Sequence, residues 1–128
     1  MNATVEEWIR KADADFATAR REAAATENPN HDAVCFRAQQ CVEKLLKALL
    51  IARGTVPPRT HDLVHLGELV SNVCPAWSWP IEQLRFVSRA AVAFRYPGES
   101  AWREDAEELL RLAAAMRERL LALLVEGD

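Results

Sequence analysis

A chain of 128 residues, half of them hydrophobic and only 4 of them Gly, is long enough to bury one sizeable core and too apolar to stay disordered. Its formal net charge of -3 argues against strong non-specific binding to nucleic acid and against specific DNA binding. Lys and Arg nevertheless outnumber Asp and Glu between Phe36 and Pro97, which makes the middle of the chain suited to an anionic ligand. Leu, Ala, Glu and Arg dominate and β-branched runs are absent, so an all-α fold is predicted for residues 1–128 as one domain.

Five helices are predicted from the spacing of apolar residues and from the polar side chains that begin helices. The predicted spans are 4–25, 29–52, 61–73 and 80–94, with a fifth helix that starts after residue 100. Their predicted N-caps, whose side chains accept hydrogen bonds from free backbone N–H groups, are Thr4, Asn28, Thr60 and Ser100. The connections are short, so the elements predict an up-and-down bundle of four to five helices.

The stretch from Phe36 to Leu50, FRAQQCVEKLLKALL, is predicted to form the central helix. Most of its circumference is apolar, so it must be covered on several sides. Its polar residues share roughly a third of the circumference; they are Arg37, Gln40, Glu43, Lys44 and Lys47. This stripe faces either solvent, with Glu43 and Lys47 as an ordinary i,i+4 ion pair, or a groove shared with a partner or with Arg95 and Tyr96.

The sequence Thr60-His61-Asp62-Leu63 is the first candidate for chemistry outside that helix. His61 is suited to act as an acid or base, and Asp62 to orient a ring or bind a cation. The alternative is a simple helix start, in which Thr and Asp satisfy backbone N–H groups. His65 lies one turn after His61, but no third ligand is evident, so no metal and no cofactor are predicted.

The fourth predicted helix carries arginines without nearby acids, because no Asp or Glu occurs between Glu82 and Glu99. Arg85 and Arg89 follow one another at helical spacing, and Arg95 lies close by. Such a set favours recognition of phosphate or carboxylate, the alternative being ion pairs with acids of the first or fifth helix.

Large aromatic residues lie around the loops that flank the fourth helix. We expect most of them to belong to the core and at least one to anchor an interface; they are Trp77, Trp79, Phe94 and Trp102. The three cysteines lack the C-x-x-C spacing of a zinc site, and their odd count does not suit a disulfide framework.

Two further features narrow the class of protein. The sequence has no P-loop, nucleophile-elbow or H-E-x-x-H motif, so the well-marked enzyme classes gain no support. Its N-terminus is acidic and amphipathic, unlike a signal peptide, and no apolar run is long enough to cross a bilayer. A soluble, cytoplasmic protein is therefore predicted.

Three segments together resemble the HEPN family, the nucleotide-binding domains of higher eukaryotes and prokaryotes. They are AQQCVEKLLKA at residues 38–48, PRTHDL at 58–63 and FRYP at 94–97, in an order that covers almost the whole chain. The sequence is similar to the small prokaryotic branch of that family. The resemblance implies a helical bundle, usually a homodimer, that is often paired with a minimal nucleotidyltransferase as one half of a toxin–antitoxin system.

Other relatives implied by the resemblance are ribonucleases that cleave RNA without metal through an Arg-x4-6-His motif near the last long helices. This sequence has no His after His65, and its nearest equivalent in that region is Arg89-x6-Tyr96, with Arg95 adjacent. A Tyr side chain, with a reference pKa of about 10, is a poorer general base near neutral pH than His.

The leading hypothesis is therefore a dimeric HEPN-type protein that binds a nucleotide or RNA phosphate. The predicted ligand-binding residues are Arg37, Lys44, Lys47, His61, Asp62, Arg89, Arg95 and Tyr96. One alternative is a metal-independent ribonuclease toxin with catalytic candidates among His61, Arg89, Arg95 and Tyr96. A second alternative is a purely structural helical dimerisation module.

Overall fold

This computed structural model describes residues 1–93, 97–98 and 101–126. These residues contain five α-helices and no strand. In chain order the helices are α1 (Ala3–Ala23), α2 (His31–Ala52), α3 (Leu63–Val73), α4 (Ile81–Ala93) and α5 (Arg103–Glu126). The predicted all-α helical bundle is confirmed. Phe94, at the predicted end of the fourth helix, and Ser100, the predicted cap of the fifth, lie outside the described residues.

The first two helices begin at Asn residues other than the predicted caps. Asn2, not Thr4, caps α1 and accepts a hydrogen bond from a backbone N–H three residues later. Asn30, not Asn28, does the same for α2. Asn28 instead has a φ of 47°, a left-handed conformation that turns the chain between the helices and that Asn adopts more easily than most residues.

The third helix begins two residues later than predicted, because Asp62 and not Thr60 is its N-cap. The Asp62 carboxylate accepts hydrogen bonds from the N–H groups of Val64 at 3.0 Å and His65 at 3.4 Å. Thr60 accepts from the N–H of Asp62 at 3.2 Å and so shapes the turn before the helix. His61 consequently lies in the turn and outside α3.

Helix α2 is the centre of the bundle, as its sequence predicts. It packs against all four other helices, most extensively against α1 and α5, while α3 and α4 pack against each other on its remaining side. The apolar residues predicted to face the core are buried along its length, from Val34 to Leu50. An all-round apolar helix is stable only where neighbours cover it, which explains this arrangement.

Most apolar residues at helical spacing are buried, but some are not. Ala23, near the end of α1, is exposed, and Ile9 of α1 and Leu69 of α3 are only partly buried. Trp102 precedes α5 and is 74% exposed, so it does not belong to the core. Trp77 is buried and stacks on the half-buried Trp79 with ring centroids 5.5 Å apart, so the aromatic residues of this loop do close the core.

The three cysteines Cys35, Cys41 and Cys74 are free, buried thiols. Within the described ranges, no helix is both long and apolar enough to cross a membrane.

Candidate functional site

An open groove of about 610 Å³ lies where the turn before α3 meets the exposed face of α4. The turn and the first residues of α3 supply one wall and α4 supplies the other. The lining residues are His61, Asp62, Val64, Arg85, Ser88, Arg89 and Val92. Its volume is in the range of sites that hold small ligands.

Two arginines one helical turn apart form the α4 wall of this groove. Arg85 and Arg89 are both exposed, and neither makes an ion pair with any residue that the structure describes. Among the described residues, no acid of α1 or α5 pairs with either arginine, contrary to the alternative considered from sequence. The one carboxylate of the lining, Asp62, is engaged with backbone N–H groups at the start of α3. The groove thus offers two unneutralised guanidinium groups to an anion.

A buried carboxylate lies behind the opposite wall. Glu43 of α2 is only 3% exposed, and its oxygens accept hydrogen bonds from Gln39 at 3.1 Å and from Lys47 at 3.0 Å. The Nδ1 atom of His61 lies 2.9 and 3.0 Å from the two oxygens of Glu43. Since Lys47 is itself only 7% exposed, the Glu43–Lys47 pair is an internal one. The i,i+4 ion pair forms, but it is buried, so the alternative in which this part of the stripe faces solvent is wrong.

The electrostatics of Glu43 follow from these contacts. Burial on its own raises the pKa of a carboxyl group, because it penalises the charged form. Hydrogen bonds from Lys47, His61 and Gln39, together with the charge of Lys47, outweigh burial and hold the pKa of Glu43 below its ordinary value of 4.5. Glu43 is therefore a stably ionised acceptor behind the groove.

His61 is fixed at its backbone as well as at its ring. Its carbonyl oxygen accepts hydrogen bonds from the Gln39 amide at 3.2 Å and from the Ser88 hydroxyl at 3.4 Å. Ser88 in turn accepts a hydrogen bond from the N–H of Leu63 at 3.0 Å. Side chains of α2 and α4 thus meet at the turn that carries His61, and the imidazole, although exposed to the groove, has a defined position.

Comparisons with known proteins identify the family and the fold of this chain. A sequence model of the HEPN domain family matches residues 5–123. The chain belongs to the HEPN family. The crystal structure of TT1696 from Thermus thermophilus is similar to it, with 25% identity, a TM-score of 0.71, and coverage of 97% of this chain and 98% of that chain. ST0689, described as an archaeal HEPN homologue, is 22% identical with a TM-score of 0.66, covering 94% of this chain and 97% of its own. No curated protein matches the chain.

The predicted site residues of this HEPN chain fall into four groups. His61, Asp62 and Arg89 line the groove. Lys47 lies behind it and reaches it through Glu43. Arg37 and Lys44 do not line the groove. Arg95 and Tyr96 lie outside the described residues.

The other half of the polar stripe on α2 faces α1. Asp15 of α1 is only 5% exposed and accepts from both Arg37, at 3.1 Å, and Lys44. The stripe predicted to face one groove therefore divides between two neighbours. Arg37 and Lys44 form a cluster with Asp15, while Glu43 and Lys47 face the turn that carries His61.

The sequence left some features of the site open and missed others. The helix-start alternative is correct for Asp62, whose carboxylate caps α3, and it is Glu43 that binds the ring of His61. A signal for this role was present, because Gln39 is a polar residue on the otherwise apolar side of α2, one turn before Glu43. Nothing in the sequence marks Ser88 as the link between α4 and the turn.

Among the described residues, the histidines of this HEPN chain form neither a metal site nor an Arg-x4-6-His motif in the groove. No group of three or more His, Cys, Asp or Glu residues suited to a metal ion exists in the part of the chain that the structure describes. One Arg-x5-His spacing does occur, from Arg59 to His65, but it lies at the turn before α3 and in the first turn of that helix. Both residues are exposed and neither lines the groove.

Proposed function

We propose that this HEPN protein binds a nucleotide or an RNA phosphate in the groove between the turn before α3 and the exposed face of α4. The observation that carries the proposal is the pair of Arg85 and Arg89, which line the groove without an ion-pair partner among the described residues. Guanidinium groups bind phosphate oxygens through paired, charge-assisted hydrogen bonds. The groove is open, as an extended ligand requires.

In this proposal Arg85 and Arg89 contact the phosphate and His61 contacts a neighbouring group of the ligand. Arg95 and Tyr96 follow α4 in the sequence and lie outside the described residues, and the proposal includes them as further phosphate contacts on the basis of the sequence alone. Lys47 contributes only through Glu43, because it is nearly fully buried. Arg37 and Lys44 remain with Asp15 and are not assigned to this ligand.

The proposal also includes a homodimer of single HEPN domains and a minimal nucleotidyltransferase partner in a toxin–antitoxin-like pair. Exposed apolar side chains support a protein interface on this chain. Val92, which lines the groove, and Ile81 of α4 are both 52% exposed, and Trp102 is 74% exposed. A Trp side chain with this exposure is a typical interface anchor.

Isothermal titration with mononucleotides and a short RNA tests the ligand claim. Arg89→Gln and Arg85→Gln are each expected to weaken binding by about tenfold, since one charge-assisted hydrogen bond contributes roughly 1.5–3 kcal/mol. Arg21→Gln is the matched control, because Arg21 is an exposed helical arginine outside the groove lining, and binding by this variant should equal that of the wild type.

Absence of binding by the wild type, or equal losses in Arg21→Gln and Arg89→Gln, would contradict the proposal. The RNA from the same mixtures is then run on a denaturing gel. The hydrogen bond between buried Glu43 and His61, whose ring lines the groove, favours ribonuclease activity as the second candidate function. Cleavage by the wild type that is lost in His61→Gln would assign that activity; cleavage that survives in both His61→Gln and Arg89→Gln would exclude these residues from it.

A further inference from the structure

The hydrogen bonds of His61 distinguish its two ring nitrogens. Nδ1 lies within 3.0 Å of both oxygens of Glu43, while Nε2 has no hydrogen-bond partner among the residues that the structure describes. An ionised carboxylate can only accept, so Nδ1 must carry a proton whenever this contact is made. In the neutral ring, Nε2 then holds a lone pair and not a hydrogen.

The carboxylate that imposes this arrangement is itself held in place. Gln39 and Lys47 donate to Glu43 from the same helix, and Lys47 already balances its charge. The contact therefore does not require a charged imidazole. The other charged side chains that line the groove with the ring are Arg85, Arg89 and Asp62.

We propose that Glu43 is a positioning residue, which holds neutral His61 as the Nδ1–H tautomer so that Nε2 accepts a hydrogen bond from a hydroxyl group of the ligand. This proposal rests on the proposed function, in which Arg85 and Arg89 bind the phosphate of the ligand. It adds the chemical class of the ligand, which is a phosphate ester with a hydroxyl beside the phosphate, as in a ribose and not in a 2′-deoxyribose. Glu43 acts through His61 and does not touch the ligand.

The state of the ring is measured directly by ¹⁵N NMR at a mildly alkaline pH, where neutral histidine tautomers are distinguished by their nitrogen shifts. Free histidine favours the Nε2–H tautomer, and the structure predicts the opposite for His61. Exposed His65 is an internal control that should behave as free histidine does. A wild-type His61 that is mainly Nε2–H would overturn the proposal, and this measurement needs neither a ligand nor a variant.

A second measurement uses two variants. In Glu43→Met the ring should return to the Nε2–H tautomer. Because that change leaves Lys47 buried without its partner, Glu43→Met/Lys47→Met removes both charges with side chains of similar length. A ring that stays Nδ1–H in the folded double variant would show that Glu43 does not position it.

The ligand claim is tested with the dinucleotide UpU and its 2′-deoxy counterpart by titration. The wild type should prefer UpU by about three- to tenfold, the value of one neutral hydrogen bond. The folded double variant should lose this preference, while Arg89→Gln should weaken binding of both dinucleotides and keep it. Equal binding of both by the wild type overturns the hydroxyl contact. Binding of neither removes the proposed function and with it the role of Nε2 as an acceptor, while the NMR result still decides whether Glu43 positions the ring.

Discussion

Glu43 shows how a single buried acid is kept charged inside a helical protein. A carboxylate removed from water is destabilised unless several donors replace the lost hydration. Here Gln39, Lys47 and His61 supply those donors, and Gln40 adds a longer contact at 3.4 Å. The same bonds that stabilise the charge also fix the ring of His61, which lines the groove.

The lowered pKa of Glu43 gives a predicted pH dependence of stability. The folded state favours ionised Glu43, so its contribution to the free energy of unfolding is complete above the ordinary pKa of 4.5. That contribution is lost as the pH falls through the lower, folded-state pKa. The difference in the free energy of unfolding between wild type and Glu43→Gln, from urea denaturation, should therefore be largest near neutral pH and shrink below about pH 4.5.

Glu68→Gln is the control for this measurement, because Glu68 is exposed and no ion pair involves it in the part of the chain that is described. Its difference from the wild type should change little with pH. A Glu43→Gln difference that is the same at neutral and at acidic pH would show that the charge of Glu43 does not stabilise the fold.

Helix α2 is the element that holds the bundle together. It contacts each of the other four described helices, and its contacts with α1 and α5 are the most extensive in the bundle. The other described helices contact one another less than they contact α2. Its apolar residues therefore stabilise every other element, and its few polar residues mark the places where those elements are also joined by hydrogen bonds.

Truncation of a residue at the centre of α2 tests this role. Leu45 is 0% exposed, so Leu45→Ala is expected to lower the free energy of unfolding by about 2–5 kcal/mol through lost burial and the cavity left behind. Urea or thermal denaturation measures the change. Val125→Ala, at a position of α5 that is 74% exposed, is the control and should have an effect within about 0.5 kcal/mol of zero. A loss below about 1 kcal/mol for Leu45→Ala would be inconsistent with a central helix.

Across the whole molecule, the buried thiols report on the integrity of the bundle. The pKa of Cys35 and of Cys41 is raised to about 12, chiefly by burial, and at Cys35 the carboxylates of Asp105 and Asp32 contribute to the increase. Since the thiolate is the reactive form, neither group should react in the folded state.

Labelling with an aromatic disulfide reagent at about pH 8 should therefore follow transient unfolding. All three thiols should react at once in urea, and slowly in the native protein. If opening is global, Leu45→Ala should raise the native labelling rate by roughly thirtyfold or more, which corresponds to its expected loss of at least about 2 kcal/mol. A rate equal to that of the wild type, with Val125→Ala as the reference, would show that labelling occurs through local opening.

The division of charge also belongs to the whole molecule. The segment from Phe36 to Pro97 is rich in Lys and Arg, yet its cations on α2 are paired with Asp15 or Glu43. Among the described helices of this segment, α4 is the one whose cations keep no carboxylate partner within the described residues. Among the cations on the described helices of this segment, those that keep no carboxylate partner thus form one wall of the groove.

The sequence by itself determined the helices and the central position of α2, because helical periodicity and an apolar circumference are local properties. It also determined that no Asp or Glu lies between Glu82 and Glu99, the stretch that contains Arg85 and Arg89. The sequence did not determine the residue at which each helix starts. Two polar residues near a start, such as Thr60 and Asp62, compete for the same free N–H groups, and only the backbone conformation decides between them. Only the tertiary structure decided which partners the polar stripe meets. Glu43 and His61 are 18 residues apart, and their contact exists because the turn before α3 folds back on α2.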